Sequence, residues 1–232
     1  MDKVIRRIDF TRARGADARE LLRRQWLATN GLGGYASGTI SGSVTWRYHG
    51  LLIAALPAPF GRMVMLNHLG EYVRLGDGRC LQIGGEEPNP QDQAAHPGHY
   101  ITEFRLENGL PVWRYQVEGL VLEKHVLFLY GQNTVHVGFR LLSQQEGVRL
   151  ELRPSFHFRR HERPVDEGSL DGYELCVSGE RYEVAHRNFV PRLRLVLRGE
   201  HAAFTYDGGS RPELFYQKEA DRGGPSRGGL WS

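Results

Sequence analysis

From Tyr100 onward the chain is a succession of short apolar runs cut by turn residues: ITEFRLE, VWRYQVEG, LVLEKHVLFLY, TVHVGFRLL and VRLELRPSFHFR. The breaks between them carry Asn108-Gly109, Gly131-Gln132-Asn133 and SQQEG. Runs rich in β-branched and aromatic residues, with turn chemistry at each break, suit strands, and short breaks suit antiparallel neighbours. The expected topology is therefore a long antiparallel meander. Upstream, RMVMLNHLGEYVRL and RCLQIG flank Gly76-Asp77-Gly78 and read as a hairpin. Downstream, YELCVSG, RYEVAHR, RLRLVLRG, AAFTY and LFYQKEA continue the same style, so the fold class is all-β, with two packed sheets forming a large β-sandwich. One short helix is predicted from Ala18 to Leu27, because Asp17 and Glu20 form a capping-box variant ahead of LLRRQWLA and Asn30-Gly31 supplies a stop. The segment Gly84 to Gly98, polar and proline-rich, reads as a surface loop. No internal repeat at a propeller or solenoid period emerges.

Composition removes several function classes. Hydrophobic residues at 40% and charged residues at 25% are ordinary globular values. Net charge is only +3, and the arginines are scattered among acids, so nucleic-acid binding is not indicated. Cys80 and Cys176 lie far apart without a CxxC partner, which excludes a zinc or redox motif and fits a cytoplasmic chain. The start lacks an apolar signal region, and no apolar run approaches ~18 residues, so neither secretion nor membrane spanning is expected.

Motifs for chemistry are equally sparse, and no cofactor or metal is expected. Gly31-x-Gly33-x-x-Ala36 matches the dinucleotide fingerprint only formally, since a helix precedes it and Ser37-Gly38-Thr39 opposes a helix after it. His157 and His161 are four apart, a chelating spacing on a helix but not on a strand. There is no G-x-S-x-G elbow or HExxH. Glu71, Glu103, Glu118, Glu123 and Glu151 are strand-borne carboxylates of the type glycosidases use, yet nothing ranks one pair above another. Trp46, Tyr48, Trp113, Tyr115 and Tyr130 are candidate rings for a sugar-contacting surface, to the extent that they escape the core.

The segment Thr29 to Leu56 stands apart, glycine-dense and almost uncharged until Arg47-Tyr48-His49. Such density suggests backbone positions that need positive φ or close approach. Strand alternation is expected to put Arg47 and His49 on one face and Tyr48 on the other. Two readings stay open: ion pairing and packing within the domain, or contact with a hydroxyl-rich ligand or an adjoining domain.

QWLATNGLGGYASGTISGSVTWRYHGLLIAALPAPFGR resembles the opening of the bacterial and archaeal type of glycogen debranching enzyme, an amylo-α-1,6-glucosidase. NGLPVWRYQVEGLVLEKHVLFLYGQNTVHVGFRLL is similar to that family's next marked block, and RGGPSRGGLWS to its exit from the N-terminal domain. The resemblance spans nearly the whole chain and rests on TNGLGGYASGT together with RYHGLL. It implies a β-supersandwich like the N-terminal domain of bacterial glucoamylases, related to the galactose mutarotase fold. Residues 1–232 are then one domain, and the (α/α)6 toroid that carries the catalytic carboxylates is a C-terminal domain of the same polypeptide, absent from this chain. By the same resemblance no catalytic residue lies here. The implied partners are the toroid and an α-glucan: glycogen, limit dextrin or a maltooligosaccharide. Asn30, Tyr35, Arg47, Tyr48 and His49 are the expected contacts to either. Two departures from the pattern are Gln25, where a Glu often precedes the Trp, and Gly228, where an acid often precedes Leu-Trp. Two other functions fit a sandwich: a free-standing carbohydrate-binding module, and a sugar epimerase with a His and a Glu as acid and base.

Overall fold

A computed structural model describes residues 4–10, 18–85, 97–144, 147–168, 170–206 and 213–232. Its first large sheet is built from β1 (Val4–Asp9), β7 (Ile101–Glu107), β8 (Leu110–Val117), β9 (Leu120–Phe128) and β10 (Val135–Leu141), in that spatial order. The second orders β11 (Arg149–Arg160), β5 (Gly61–Arg74), β4 (Gly50–Leu56), β3 (Tyr35–Thr39) and β2 (Gln25–Thr29), with β6 (Cys80–Gly84) also on β5. A three-stranded sheet of β12 (Tyr173–Ser178), β13 (Arg181–His186) and β14 (Phe189–Leu195) and a two-stranded ribbon of β15 (Glu213–Phe215) and β16 (Arg227–Gly229) complete the fold. Every pairing is antiparallel, so the all-β sandwich expected from the strand runs is what forms.

The two large sheets meet through alternating side chains. On β8, Trp113, Tyr115 and Val117 are buried while Arg114 and Gln116 face solvent. Trp113 packs edge-on against Trp26 of β2 at 5.4 Å and Phe104 of β7 at 5.2 Å, and its indole N–H donates to Ile40 O at 2.7 Å. One inward position is charged. Lys124, in phase with Leu122 and Val126 on β9, reaches across the interior to the carboxylate of Glu71 on β5, and both side chains are buried. Lys124 Nζ also lies 4.9 Å from the centre of the Trp113 ring. No helix among the described residues is long and apolar enough to cross a membrane.

Four sequence expectations need correction. The helix α1 is only Ala18–Arg23, because Gln25–Thr29 alternates exposed and buried residues and joins the sheet as β2; Asp17 lies outside the described residues. The meander holds through β10, but β11 crosses to the other sheet and pairs with β5, where its continuously buried stretch Ser155–Arg159 finds cover. AAFTY forms no strand, and LFYQKEA divides into the end of β15 and a single helical turn, α2 (Gln217–Ala220). Arg47-Tyr48-His49 is a turn rather than a strand: His49 N–H donates back to Trp46 O at 2.9 Å before β4 begins. The loop expected over Gly84 to Gly98 lies mostly outside the described residues.

Candidate functional site

The turn that carries Arg47 is held from several directions. Ser37 Oγ donates to Tyr48 O at 2.9 Å, and Thr39 Oγ1 donates to Ser43 O at 2.7 Å, tying the loop to β3. A second small core of Val44, Val165, Leu214, Tyr216 and Leu230 packs beneath it. Arg47 itself is an anchor. Its backbone N–H donates to Glu219 Oε1 at 3.0 Å, its Nε donates to Glu219 Oε2 at 2.9 Å, and its Nη2 pairs with the same oxygen. Glu219 is fully buried on α2, and burial alone would raise its carboxyl; the Arg47 hydrogen bonds outweigh that and hold it below the ordinary range. Buried Arg159 completes the frame, donating from Nη2 to Arg47 O at 2.7 Å and from Nη1 to the carbonyls of Arg160, His161 and Arg163.

His49 faces inward. Its Nδ1 accepts from Thr45 N–H at 3.1 Å, and burial, helped by the charge of Lys218, lowers its pKa to about 3, so the ring is neutral. Asn30 is likewise internal. Its Oδ1 accepts from Leu32 and Gly34 N–H, both at 3.0 Å, while its Nδ2 donates to Gln132 O at 2.8 Å and Asn133 Oδ1 at 3.1 Å. Both residues therefore shape backbone and offer no free group to solvent. Gly34 is required beside Asn30, since a Cβ there would fall 2.8 Å from its Nδ2.

What the frame presents is a row of rings. Trp46 and Tyr48 pack edge-on at 4.7 Å, Tyr48 meets His161 at 5.4 Å, and Tyr35 also meets His161, at 6.1 Å. All four residues are half-buried. Exposed Arg62 borders the row, its Nε donating to Gly33 O at 2.6 Å, and exposed Glu162 sits 2.8 Å from His161 Nδ1. Burial pushes the Tyr35 phenol up to about 12 against the opposing charges of Arg62 and Arg159, so it remains a hydrogen-bond donor. Behind Trp46 stand Arg222, 4.8 Å from the ring centre, and Lys218 at 5.2 Å, both within cation–π range.

Of the five residues expected at the site, Tyr35 and Tyr48 share this row and Arg47 braces it. His49 lies beneath, and Asn30 sits at the far end of the β2–β3 turn. Arg62, His161 and Glu162 were not foreseen. His161 lay in view as half of the His157–His161 pair, which the structure separates: His157 is buried on β11 with Nε2 3.0 Å from Glu167 O, and His161 lies past the strand end. Of the candidate sugar-contacting rings, Trp113 and Tyr115 are core, whereas Tyr130 is 86% exposed.

The row brings together half-buried aromatic residues set edge-on to one another, with two phenols among them and a guanidinium and a carboxylate beside them. That combination suits the C–H faces and hydroxyls of a pyranose. Acid–base chemistry has less support. Glu162, the carboxylate at the row, is held below its ordinary range: burial works against this, but its own backbone N–H, Arg160 and His161 prevail. Glu71 is raised by burial, yet it is sealed in the core against Lys124.

The two sequence departures also find their places. Gln25 is exposed at the start of β2. Gly228 is buried in β16, where a Cβ would fall 2.4 Å from Val165 O, so no acid fits there without backbone movement. No curated protein and no solved structure matches the chain. A family model described as "Glycogen debranching enzyme N terminal" matches residues 24–232, from the residue before β2 through the aromatic row to the last residue. Since that match covers nearly the whole chain, the protein belongs to the glycogen debranching enzyme N-terminal family.

Proposed function

We propose that this chain is the glucan-supporting, non-hydrolytic N-terminal domain of an amylo-α-1,6-glucosidase acting in cytoplasmic glycogen breakdown. Hydrolysis belongs to a catalytic toroid of the same polypeptide. The observation that carries the reading is the row Trp46–Tyr48–His161–Tyr35, bordered by Arg62 and Glu162 and fixed from behind by Arg47, Glu219 and Arg159. Further support comes from Thr45 Oγ1, Trp46 Nε1 and His49 Nε2. All three atoms are buried on this one loop without hydrogen-bond partners among the described residues. Buried orphans at this density cost stability, and such costs collect where function rather than packing dictates the backbone.

Tyr48→Ala in the purified chain tests the reading. Titration with maltoheptaose, followed by tryptophan fluorescence with Trp46 as the neighbouring reporter, is expected to show affinity about tenfold weaker than the parent, equivalent to about 1.4 kcal/mol. Parental affinity in a variant with an unchanged circular dichroism spectrum would refute it.

A further inference from the structure

Against the β2–β3 turn stands Tyr130, which is not part of the ring row and is the most exposed large apolar side chain among the described residues. It does not hang free. The ring rests on Gly31, where a Cβ would fall 2.3 Å from Cε2 and 2.9 Å from Cδ2 and Cζ, and Gly31 itself holds φ +78°. The positive φ favours glycine, and the missing side chain lets the ring lie against the backbone. The turn beneath Tyr130 is pinned as well. Gly131 N–H donates to Asn30 O at 2.7 Å, and the Asn30 amide reaches Gln132 O and Asn133 Oδ1. Asn133 in turn accepts from Ala55 N–H at 2.9 Å and donates to Ala55 O at 2.8 Å. The two turns thus form one braced unit, and the Asn30 side chain, engaged at every polar atom, is the piece that joins them.

We propose that Tyr130 is a second glucan subsite, a stacking platform for one pyranose ring of an α-1,4-linked chain. It rests on the glucan reading of the family site and is separate from the ring row. Three features favour a neutral sugar. The two turns, Thr29–Gly34 and Tyr130–Thr134, contain no acidic or basic side chain of their own, and the neighbouring Arg62 guanidinium is engaged through Nε by Gly33 O. Leu32, 52% exposed, widens the apolar surface beside Gly31, and the exposed Gln132 side chain supplies a donor and an acceptor. A ring that lies against a braced backbone turn loses less freedom on stacking than one projecting into solvent, so more of the contact energy appears as affinity.

The test is an amide-shift titration of the 232-residue chain with maltoheptaose. Two groups of signals are expected to move: Gly31, Gly131 and Gln132 at the platform, and His161 and Glu162 at the ring row. Tyr130→Ala, at a position so exposed that melting should not change, is expected to abolish the first group and leave the second. If the platform amides stay still in the parent while the row responds, the subsite is wrong and the glucan reading stands. If neither group moves, both fail. Platform shifts that follow chain concentration rather than sugar would reveal self-association and overturn the proposal.

Discussion

Lys124→Ala is expected to lower the stability of the chain by about 3–5 kcal/mol at pH 7, the range for breaking a buried ion pair by removing one partner. Lys124 and Glu71 join the two large sheets across an interior of Trp26, Trp113 and Tyr115, with neither side chain reaching solvent. Lys124 also lines a cavity of about 20 Å³ together with Asn67 and His68, so truncation enlarges a void as well as stranding a charge. The variant should show a characteristic pH dependence. Burial holds the Glu71 carboxyl above its ordinary range even with Lys124 against it, and without Lys124 it must rise further. Over the interval between the unfolded value and that raised folded value, the folded state binds more protons than the unfolded state. Stability therefore falls as pH rises, by up to about 1.4 kcal/mol per pH unit. Urea unfolding at pH 5.5 and pH 7.5 should find Lys124→Ala closer to the parent at the lower pH. Neutralising both partners, as Glu71→Gln with Lys124→Met, should recover more than half of the loss. A Lys124→Ala protein within about 1 kcal/mol of the parent at pH 7.5 would contradict the role given to the pair.

Arg47→Ala is expected to cost about 3 kcal/mol and to release the aromatic row, because it leaves Glu219 buried without its guanidinium partner. Loss of the fork removes the main side-chain tie between α2 and the loop that carries Trp46 and Tyr48, leaving the Lys218 N–H to Thr45 O bond, so glucan affinity should fall together with stability. Arg47→Lys keeps the charge but not the paired donors, and should lie between the two. Acid supplies a check. Glu219 is held below its ordinary range, so its contribution is present above the unfolded carboxylate value and disappears as pH falls through the folded one. Stability of the parent and of Arg47→Ala, measured by chemical unfolding from pH 7 down to pH 3, should therefore converge at the acid end. Parallel curves over that range would show that the pair contributes nothing specific.

Much of the fold was legible because strand alternation is a local signal. LPVWRYQV and LVLEKHVLF declare their inward faces within a few residues, and Asn108-Gly109 closes the hairpin that joins the first of them to β7. The same alternation already put Lys124 in phase with Leu122 and Val126, a clue to an interior charge. Its partner Glu71 lies on a different sheet and has no local mark. The helix overran because LLRRQWLA suits either structure, and the burial of Trp26 and Ala28 against the opposite sheet decides for a strand. At the candidate site, Tyr35 and Tyr48 were nominated through the glycine-dense segment that delivers them. Glu219 was not, since 172 residues separate it from Arg47 and only tertiary packing brings them together. Tyr130 could be nominated from its sequence, but its exposure depends on Gly31 and Asn30 from another turn.

The central claim is that this domain holds glucan without cutting it. Incubating the purified chain with glycogen, sedimenting the polysaccharide and assaying the supernatant for glucose tests both halves at once. The account predicts that the chain co-sediments, is released by excess maltoheptaose, and frees no glucose from a limit dextrin. A chain that stays wholly in the supernatant, or one that liberates glucose, would contradict it.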